Sequence, residues 1–411
     1  MDADIDDRLW RRYLLARAVS WAGSTLTLVA LPMLVFQRTG SPALTAALTA
    51  VEAVPYLLFG LLAGVLADRW DRRRLMVATS LAEAAVLGGI PVAAALGLLT
   101  PAHVLAAAAV SATAAVFFDA ASFAALPALA GRRGIARATA SSVSAYTVIG
   151  LAGPAAGGVI ASVAGPPAAI GLDALTFAVA AALLARLPAA RLTPARPESG
   201  VEPSGPYRRI GIDIRDGLAF IWHHPAVRSY TLLGIGNSLT GGAVLGLVLV
   251  VAVDRLGLPA RDWRVGLCFV AACAGTLLAN AALPRLRARV PAGRITLAGL
   301  AANWLALLAW ASVTRFGPAL AALLAWQATN SLVSVNGIVA RQEAAPDHLQ
   351  GRVNTTARMI AWGGQPVGAA LGGVIADAAG VRVALLVTGG AVLAAALAGW
   401  FTPLRDRVTV P

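Results

Sequence analysis

The chain has 411 residues, of which 58% are hydrophobic and only 13% charged, and its mean hydropathy is +0.74. A soluble domain carries about 25% charged residues and needs polar cover over its surface, so this composition excludes a soluble fold and places the chain in a bilayer. The net charge of +13 rests on 33 Arg with no Lys. These Arg lie in short segments between apolar runs, which fits positive-inside topology rather than a nucleic-acid surface.

A helix crosses the hydrocarbon with about 20 residues. The apolar runs predict twelve spans, at 13–36, 42–67, 75–98, 102–128, 139–163, 167–187, 227–252, 264–284, 294–314, 317–340, 353–378 and 382–402. The runs are unbroken and rich in Ala, Leu and Val, which excludes an outer-membrane barrel, whose strands alternate apolar and polar residues. The expected fold is all-α and integral to the membrane. The acidic first residues and the long first apolar run predict no cleavable signal peptide. With the N-terminus placed inside, 24 Arg fall on inner segments and six on outer ones, namely Arg38, Arg255, Arg261, Arg264, Arg315 and Arg382. That bias predicts a multi-pass cell (inner) membrane protein with both termini cytoplasmic.

Residues 188–225 form the longest non-apolar stretch. Its Pro-rich first part has the composition of a linker, and Ile210 to Trp222 reads as an amphipathic helix on the inner membrane surface. The predicted organisation is a six-helix half at 1–187, a cytoplasmic linker at 188–225 and a second six-helix half at 226–411. A shift of 215 residues lays Arg137–Gly165 on Arg352–Gly380 with ten identities in 29 positions, including GGVIA at 157–161 and 372–376. The same shift carries Gly60 onto Gly275, Arg72 onto Arg287 and Arg74 onto Arg289. Two copies running in the same direction are expected to enclose a central site at mid-membrane.

Two runs carry the strongest local signals. The first is Gly64-Val-Leu-Ala-Asp68-Arg69-Trp-Asp71-Arg72-Arg73-Arg74 at the inner end of span 2, where an acid among four Arg can pair in place and act on a neighbouring helix terminus. It resembles the signature between helices 2 and 3 of the major facilitator superfamily. That resemblance implies an inner-gate latch at Gly64, Asp68, Arg69, Arg72 and Arg73, with Asp71 standing where many members have Gly. The equivalent of Asp68 in the second half is Leu283. The second run, Gly150-Leu-Ala-Gly153-Pro154-Ala-Ala-Gly157-Gly158, supports close helix contact and a bend. It resembles the motif that marks exporters in the superfamily and implies antiport.

The resemblance extends over nearly the whole chain. Ala30-Leu-Pro-Met-Leu, Thr39-Gly-Ser, Leu172-Asp173-Ala-Leu-Thr-Phe177 and Pro346-Asp-His-Leu-Gln-Gly351-Arg352-Val look like the branch that holds the enterobactin exporter and macrolide-efflux proteins. Members of that branch often have Asp after the Gly of span 1, where this chain has Ser24 after Gly23.

Ionisable groups within spans are costly, by about 2.5–3.5 kcal/mol each on insertion scales, and so are functional suspects. Glu52, Asp119, Glu83 and Asp173 are the candidate proton carriers, in that order, with Glu52 near the midplane and Asp119 on a polar face of span 4. Polar stripes on spans 1, 4 and 10, the few polar residues of span 7, and the cavity-lining role that the resemblance implies for helices 1, 4, 7 and 10 nominate Arg17, Trp21, Ser24, Asn237, Trp326, Gln327, Asn330 and Ser334 as cavity residues. Tandem glycines such as Gly60 and Gly64 suggest packing within the chain. His223-His224 offers no ligand geometry, Cys268 and Cys273 offer no metal spacing, and no P-loop is present. No metal or cofactor is expected, and no enzymatic activity. The expected partners are a small-molecule substrate, protons and the lipid bilayer, with no nucleic acid, for a monomer that exports amphipathic molecules by proton antiport and alternating access. An uptake symporter of the same fold, a transport-dead sensor and a lipid-handling membrane protein are the alternatives.

Overall fold

The structure, a computed structural model, describes residues 7–192, 215, 217–346 and 349–405. Among these residues every regular element is helical. Eleven helices are long and apolar enough to cross a membrane. The remaining long helix, Phe316–Ala344, carries Gln327, Asn330, Ser331, Ser334 and Asn336 along its 29 residues. It occupies the place of span 10 and completes the expected twelve.

The observed spans are Asp7–Thr39, Pro42–Arg69 and Arg72–Ala95 for the first three. Spans 4 and 5 form one element, Pro101–Val163. The sequence predicts a loop between them at 129–138, whereas the structure keeps those residues helical around a single break at Gly131 (φ 65°, ψ 159°). A residue without Cβ reaches that backbone region at little steric cost, so one position suffices to redirect the chain. Span 6 is Pro166–Ala185, and span 7 is Pro225–Asp254. Spans 8, 9 and 12 are Arg264–Arg287, Ala292–Ser312 and Val381–Gly399. Span 11 is interrupted, as Gln350–Trp362 and Gly364–Ala379. The interruption follows from Pro366, which has no N–H to give the carbonyl of Trp362 and whose ring crowds that same carbonyl. Most of the predicted linker and amphipathic helix, 193–214 and 216, lies outside the described residues, while 217–223 is helical.

By packing, the chain divides into two units. Unit 1 comprises Met1–Thr39, Val51–Glu202 and Arg261–Leu267; unit 2 comprises Gly40–Ala50, Pro203–Ala260 and Cys268–Pro411. In unit 1, spans 1 and 3 pack on span 6 and on the long helix of spans 4 and 5. One end of its core buries Trp10, Tyr13, Met76, Phe118, Leu129 and Leu184. In unit 2, span 7 is the central helix, packed on spans 10, 11 and 12. A core cluster there joins Tyr230, Leu233, Leu300, Val333, Val392 and Leu404.

The internal repeat has a matching backbone signature. Gly165 (φ 94°, ψ 151°) starts span 6, and its repeat partner Gly380 (φ 88°, ψ 155°) starts span 12. That conformation is reserved in practice for glycine, and forcing another residue into it costs about 1–3 kcal/mol. A Cβ on Gly380 would meet no atom within 4 Å, so the cost there is purely conformational. Gly380→Ala should therefore lower the thermal unfolding midpoint of the purified protein, whereas Ala379→Gly, at the preceding exposed position, should change it far less.

Candidate functional site

The charged run after span 2 builds a compact turn. Asp71 (φ −59°, ψ 109°) is the N-cap of span 3: its carboxylate accepts from the Arg74 amide at 3.1 Å and pairs with the Arg74 guanidinium at 3.7 Å. The turn needs no left-handed residue, so Asp at a position that often holds Gly in the resembled signature is accommodated. Arg72 Nε donates to the Ala67 carbonyl at 3.2 Å, which ties the start of span 3 to the end of span 2. Arg73 donates to the Ala185 and Leu187 carbonyls, both at 3.1 Å, and so closes the C-terminus of span 6. A cation on exposed C-terminal carbonyls is favourable both as a hydrogen bond and toward the helix dipole. Arg69 is exposed, and a Cβ on Gly64 would meet nothing within 4 Å among the described residues. Asp68 lies in the last turn of span 2, and its side chain is outside the described residues.

Within unit 1, four spans contribute to one charged aromatic cluster. Arg17 of span 1 faces Asp119 of span 4 at 3.4 Å, and Tyr56 of span 2 donates to the other carboxylate oxygen at 3.0 Å. The Arg17 guanidinium lies 4.5 Å from the Trp21 ring and 4.7 Å from that of Phe118. Trp21 in turn meets Tyr146 of span 5 edge to face, with ring centroids 5.4 Å apart. Arg17 is thus held by one carboxylate and two aromatic faces, while the Asp119 side chain is 49% exposed. Such a group can bind a cation or an aromatic ring.

Deeper in unit 1 lies a second acid. Asp173 is buried, accepting from Thr27 of span 1 at 2.5 Å and from Thr176 at 3.2 Å. Gly23 permits this approach, because a Cβ there would collide with Asp173 and Thr176. Glu83 is also buried and lies within electrostatic reach of Asp173, Asp119 and Arg17. Glu52 is apart from this group and exposed. Ser24 donates back to the Ser20 carbonyl at 3.0 Å.

The glycines of span 5 are contact points. A Cβ on Gly153 would strike Thr25, and one on Gly157 would lie 2.9 Å from the Leu26 Cα, so both bring span 5 onto span 1. Gly158 meets Gly266 at the start of span 8, whose own approach is to the Pro154 carbonyl. A Cβ on Gly150, or on Gly60 or Gly64 of span 2, would meet nothing within 4 Å among the described residues.

In unit 2, spans 7, 8 and 10 meet through amides and hydroxyls. Asn237 of span 7 donates to the Asn330 carbonyl at 3.1 Å and to Ser334 Oγ at 3.0 Å. Gln327 donates to Thr276 of span 8 and to Ser331, both at 3.1 Å. Asn237 Oδ1, Gln327 Oε1 and Asn330 Oδ1 are buried acceptors without a donor among the described residues. Trp326 is fully buried beside them, its indole N–H likewise without a partner among the described residues.

Several residues of these sites were not anticipated. Tyr56 could have been found from its position four residues after Glu52, on one helical face. Tyr146 gave no signal, because a lone aromatic in an apolar run is common, while Thr27 lies on the polar stripe of span 1 and Thr176 in the run Leu172–Phe177 without a partner being legible for either. His224 proves to be the N-cap of span 7, accepting from the Val227 amide at 3.3 Å. Among the described residues no group of His, Cys, Asp and Glu could hold a metal ion.

The chain matches the model of the major-facilitator family described as transmembrane secretion effector over residues 3–409. It belongs to that family. Its curated relatives include the multidrug efflux pump Tap of Mycobacterium tuberculosis, 28% identical over 387 residues, covering 91% of this chain and 88% of that protein. Tap of Mycolicibacterium fortuitum is 29% identical over 394 residues, covering 91% and 90%. Among solved structures, a mutant of the nucleoside transporter NupG superposes with a TM-score of 0.78 at 13% identity, covering 96% of this chain and 99% of that one. A bacterial homologue of the iron transporter ferroportin, in an inward-facing state, gives 0.73 at 15% identity, covering 97% and 99%. The protein is a multi-pass membrane transporter of the major facilitator fold and not an enzyme.

The capping role of Asp71 can be isolated. Asp71→Ala should cost about 1 kcal/mol of stability, within the 0.5–2 kcal/mol range of lost N-caps, while Asp71→Asn should cost far less. Thermal unfolding in detergent would read the difference, and equal midpoints for the two variants would remove the cap from the account.

Proposed function

We propose that this transporter exports lipophilic, amphipathic small molecules across the cell membrane by proton antiport, exposing its binding site alternately to the two sides. The observation that carries this reading is the Arg17–Asp119–Tyr56 group, with the Arg17 guanidinium against the rings of Trp21 and Phe118. Aromatic faces suit flat apolar substrates. An acid paired to a guanidinium that also rests on those faces couples protonation to the shape of the site: a proton on Asp119 releases Arg17, and the rings it covers become free to move. The relatives named as multidrug efflux pumps support the substrate class, and the glycine run of span 5 resembles the exporter motif.

Asp119 is the carboxylate most directly joined to the aromatic groups, and Glu52 is a second exposed acid in the same unit. In a pump-deficient host, the wild type should deplete a lipophilic cationic dye, and an uncoupler should abolish the depletion. Asp119→Asn or Glu52→Gln in the carrier should lower uncoupler-sensitive efflux at least tenfold while substrate exchange without a gradient persists. Full uncoupler-sensitive efflux in both variants would exclude both acids as carriers, and accumulation of the dye by energised cells would favour uptake instead.

The latch role of Gly64, Asp68, Arg69, Arg72 and Arg73, and the cytoplasmic placement of both termini, belong to the same reading. Asp68→Asn should reduce transport at least tenfold and leave substrate affinity within a few-fold. In a variant lacking Cys268 and Cys273, an impermeant thiol reagent added to intact cells should label Ala260→Cys and spare Gly200→Cys. The opposite pattern would invert the topology.

A further inference from the structure

On the outside of unit 2, spans 9 and 12 leave a groove of about 980 Å³. Its walls are apolar, formed by side chains such as Leu297, Ala301, Leu305, Leu393 and Leu397. Leu305 is 64% exposed and Leu397 61%. One end is different: Arg294 from the first turn of span 9 and Arg405 from the turn after span 12 line the same mouth, with Trp400 beside them. The Arg405 guanidinium sits 4.9 Å from the Trp400 ring. Among the described residues neither guanidinium has a carboxylate partner.

The placement of Arg405 is built into the fold. The short turn Pro403–Arg405 is anchored by Leu404, which is buried in the core cluster with Tyr230, Leu233 and Leu300. Its backbone crosses span 9 at Gly293, where a Cβ would strike the Leu404 carbonyl and lie 3.0 Å from its Cα. A glycine before Arg294 and a buried leucine before Arg405 thus bring two cations to one place. Span 9 also begins there with no side-chain cap on its first amides, which adds a favourable dipole for an anion.

We propose that this groove binds one anionic phospholipid of the cytoplasmic leaflet, its phosphate between Arg294 and Arg405 and an acyl chain along the apolar walls. The dimensions agree. From Arg294 to Leu305 is eleven residues of helix, about 16 Å at 1.5 Å per residue, and half of a 30 Å hydrocarbon core is about 15 Å. A tryptophan at the charged end sits where indole rings collect, at the level of the headgroups. A free phosphate would use the cations and leave the walls uncovered; a neutral lipid would use the walls and leave the cations unpaired. Only an anionic lipid satisfies both. The assignment to the cytoplasmic leaflet rests on the orientation proposed above, and the binding itself does not.

The test is native mass spectrometry of the purified full chain with phosphatidylglycerol or phosphatidylcholine of identical acyl chains. Wild type should retain one phosphatidylglycerol in preference to phosphatidylcholine. Each Arg near a membrane surface is worth about fivefold in attraction for anionic lipid, so Arg294→Gln with Arg405→Gln should cut that preference by about 30-fold. Ala301→Trp, which fills the wall without touching either Arg, should reduce retention of the lipid at least tenfold. All three positions lie at the protein surface, and an unchanged unfolding midpoint would show that the variants fold. Equal retention of the two lipids by wild type, an undiminished preference in the double variant, or full retention by Ala301→Trp would each overturn the proposal, the first two leaving ordinary annular lipid as the explanation.

Discussion

In hydrocarbon a helix cannot rely on the hydrophobic effect to hold its neighbour, so helix contact depends on how closely two backbones approach. The paired glycines at 157–158 and 372–373 are where this chain meets that demand. The first of each pair faces the first span of its own repeat: Gly157 meets Leu26 of span 1, and Gly372 meets Ala243 of span 7. The second of each pair faces the start of an even-numbered span: Gly158 meets Gly266 of span 8, and Gly373 meets Ala43 of span 2. Ideal Cβ atoms at these four positions would stand within about 3.3 Å of backbone or closer. A larger residue would have to push a whole helix aside, not a side-chain end. Adjacent polar contacts follow the same geometry. Asp377, five residues after Gly372, accepts from the Ala43 amide at 3.2 Å and Ser41 Oγ at 2.9 Å, and Arg261 donates to the Ala161 and Val163 carbonyls at 3.1 and 3.0 Å. One ties the open N-terminus of span 2 and the other the open C-terminus of span 5, each with the charge that the helix dipole favours there.

Close packing also decides which polar groups can be tolerated inside. Asp173 reaches Thr27 because Gly23 leaves the space, and the buried carboxyl then has two hydroxyl donors within its unit. Asn336 is held in the same manner in unit 2, donating to the Ala292 carbonyl at 2.8 Å and Thr296 Oγ1 at 2.9 Å. These groups read as fixed. The Arg17–Asp119 pair is different in kind, since its carboxylate is half exposed and its cation is shared with two rings. A satisfied buried acid stabilises one arrangement, whereas a half-exposed pair on aromatic faces leaves two arrangements close in energy.

The architecture was legible in the sequence because its signals are collective. Twelve apolar runs and a repeat over 29 positions each average over enough residues to outlast local noise. What escaped was local. The loop expected at 129–138 is helical because only Gly131 departs from helix, and composition around it does not reveal which residue will turn. The break in span 11 could have been drawn from Pro366, whose effect falls on the carbonyl four residues earlier. Ser20, Ser24 and Thr27 share a stripe, yet Ser24 bonds to its own helix while Thr27 holds an acid from span 6. Periodicity identifies the face a side chain lies on and is silent about the partner opposite, which depends on the packing of a second helix.

The two repeats preserved the packing and diverged in the chemistry. Gly165 and Gly380 keep one backbone conformation, and the glycine pairs keep one contact pattern, because any replacement would collide or strain. The charged positions faced no such limit. Arg72 bonds to a carbonyl of its own preceding helix, while its repeat counterpart Arg287 pairs with Glu343 of span 10. Where the first repeat has Asp68, the second has Leu283, which is buried. With no acid at position 283, the cation of span 8 takes its counter-charge from another helix, and the contact that holds it lies wholly inside unit 2. The clusters differ as well: the Arg17–Asp119 pair of unit 1 lies against aromatic rings, and spans 7, 8 and 10 of unit 2 meet through amides. Duplication supplied two similar frames, and the residues free of packing constraint became the ones able to specialise.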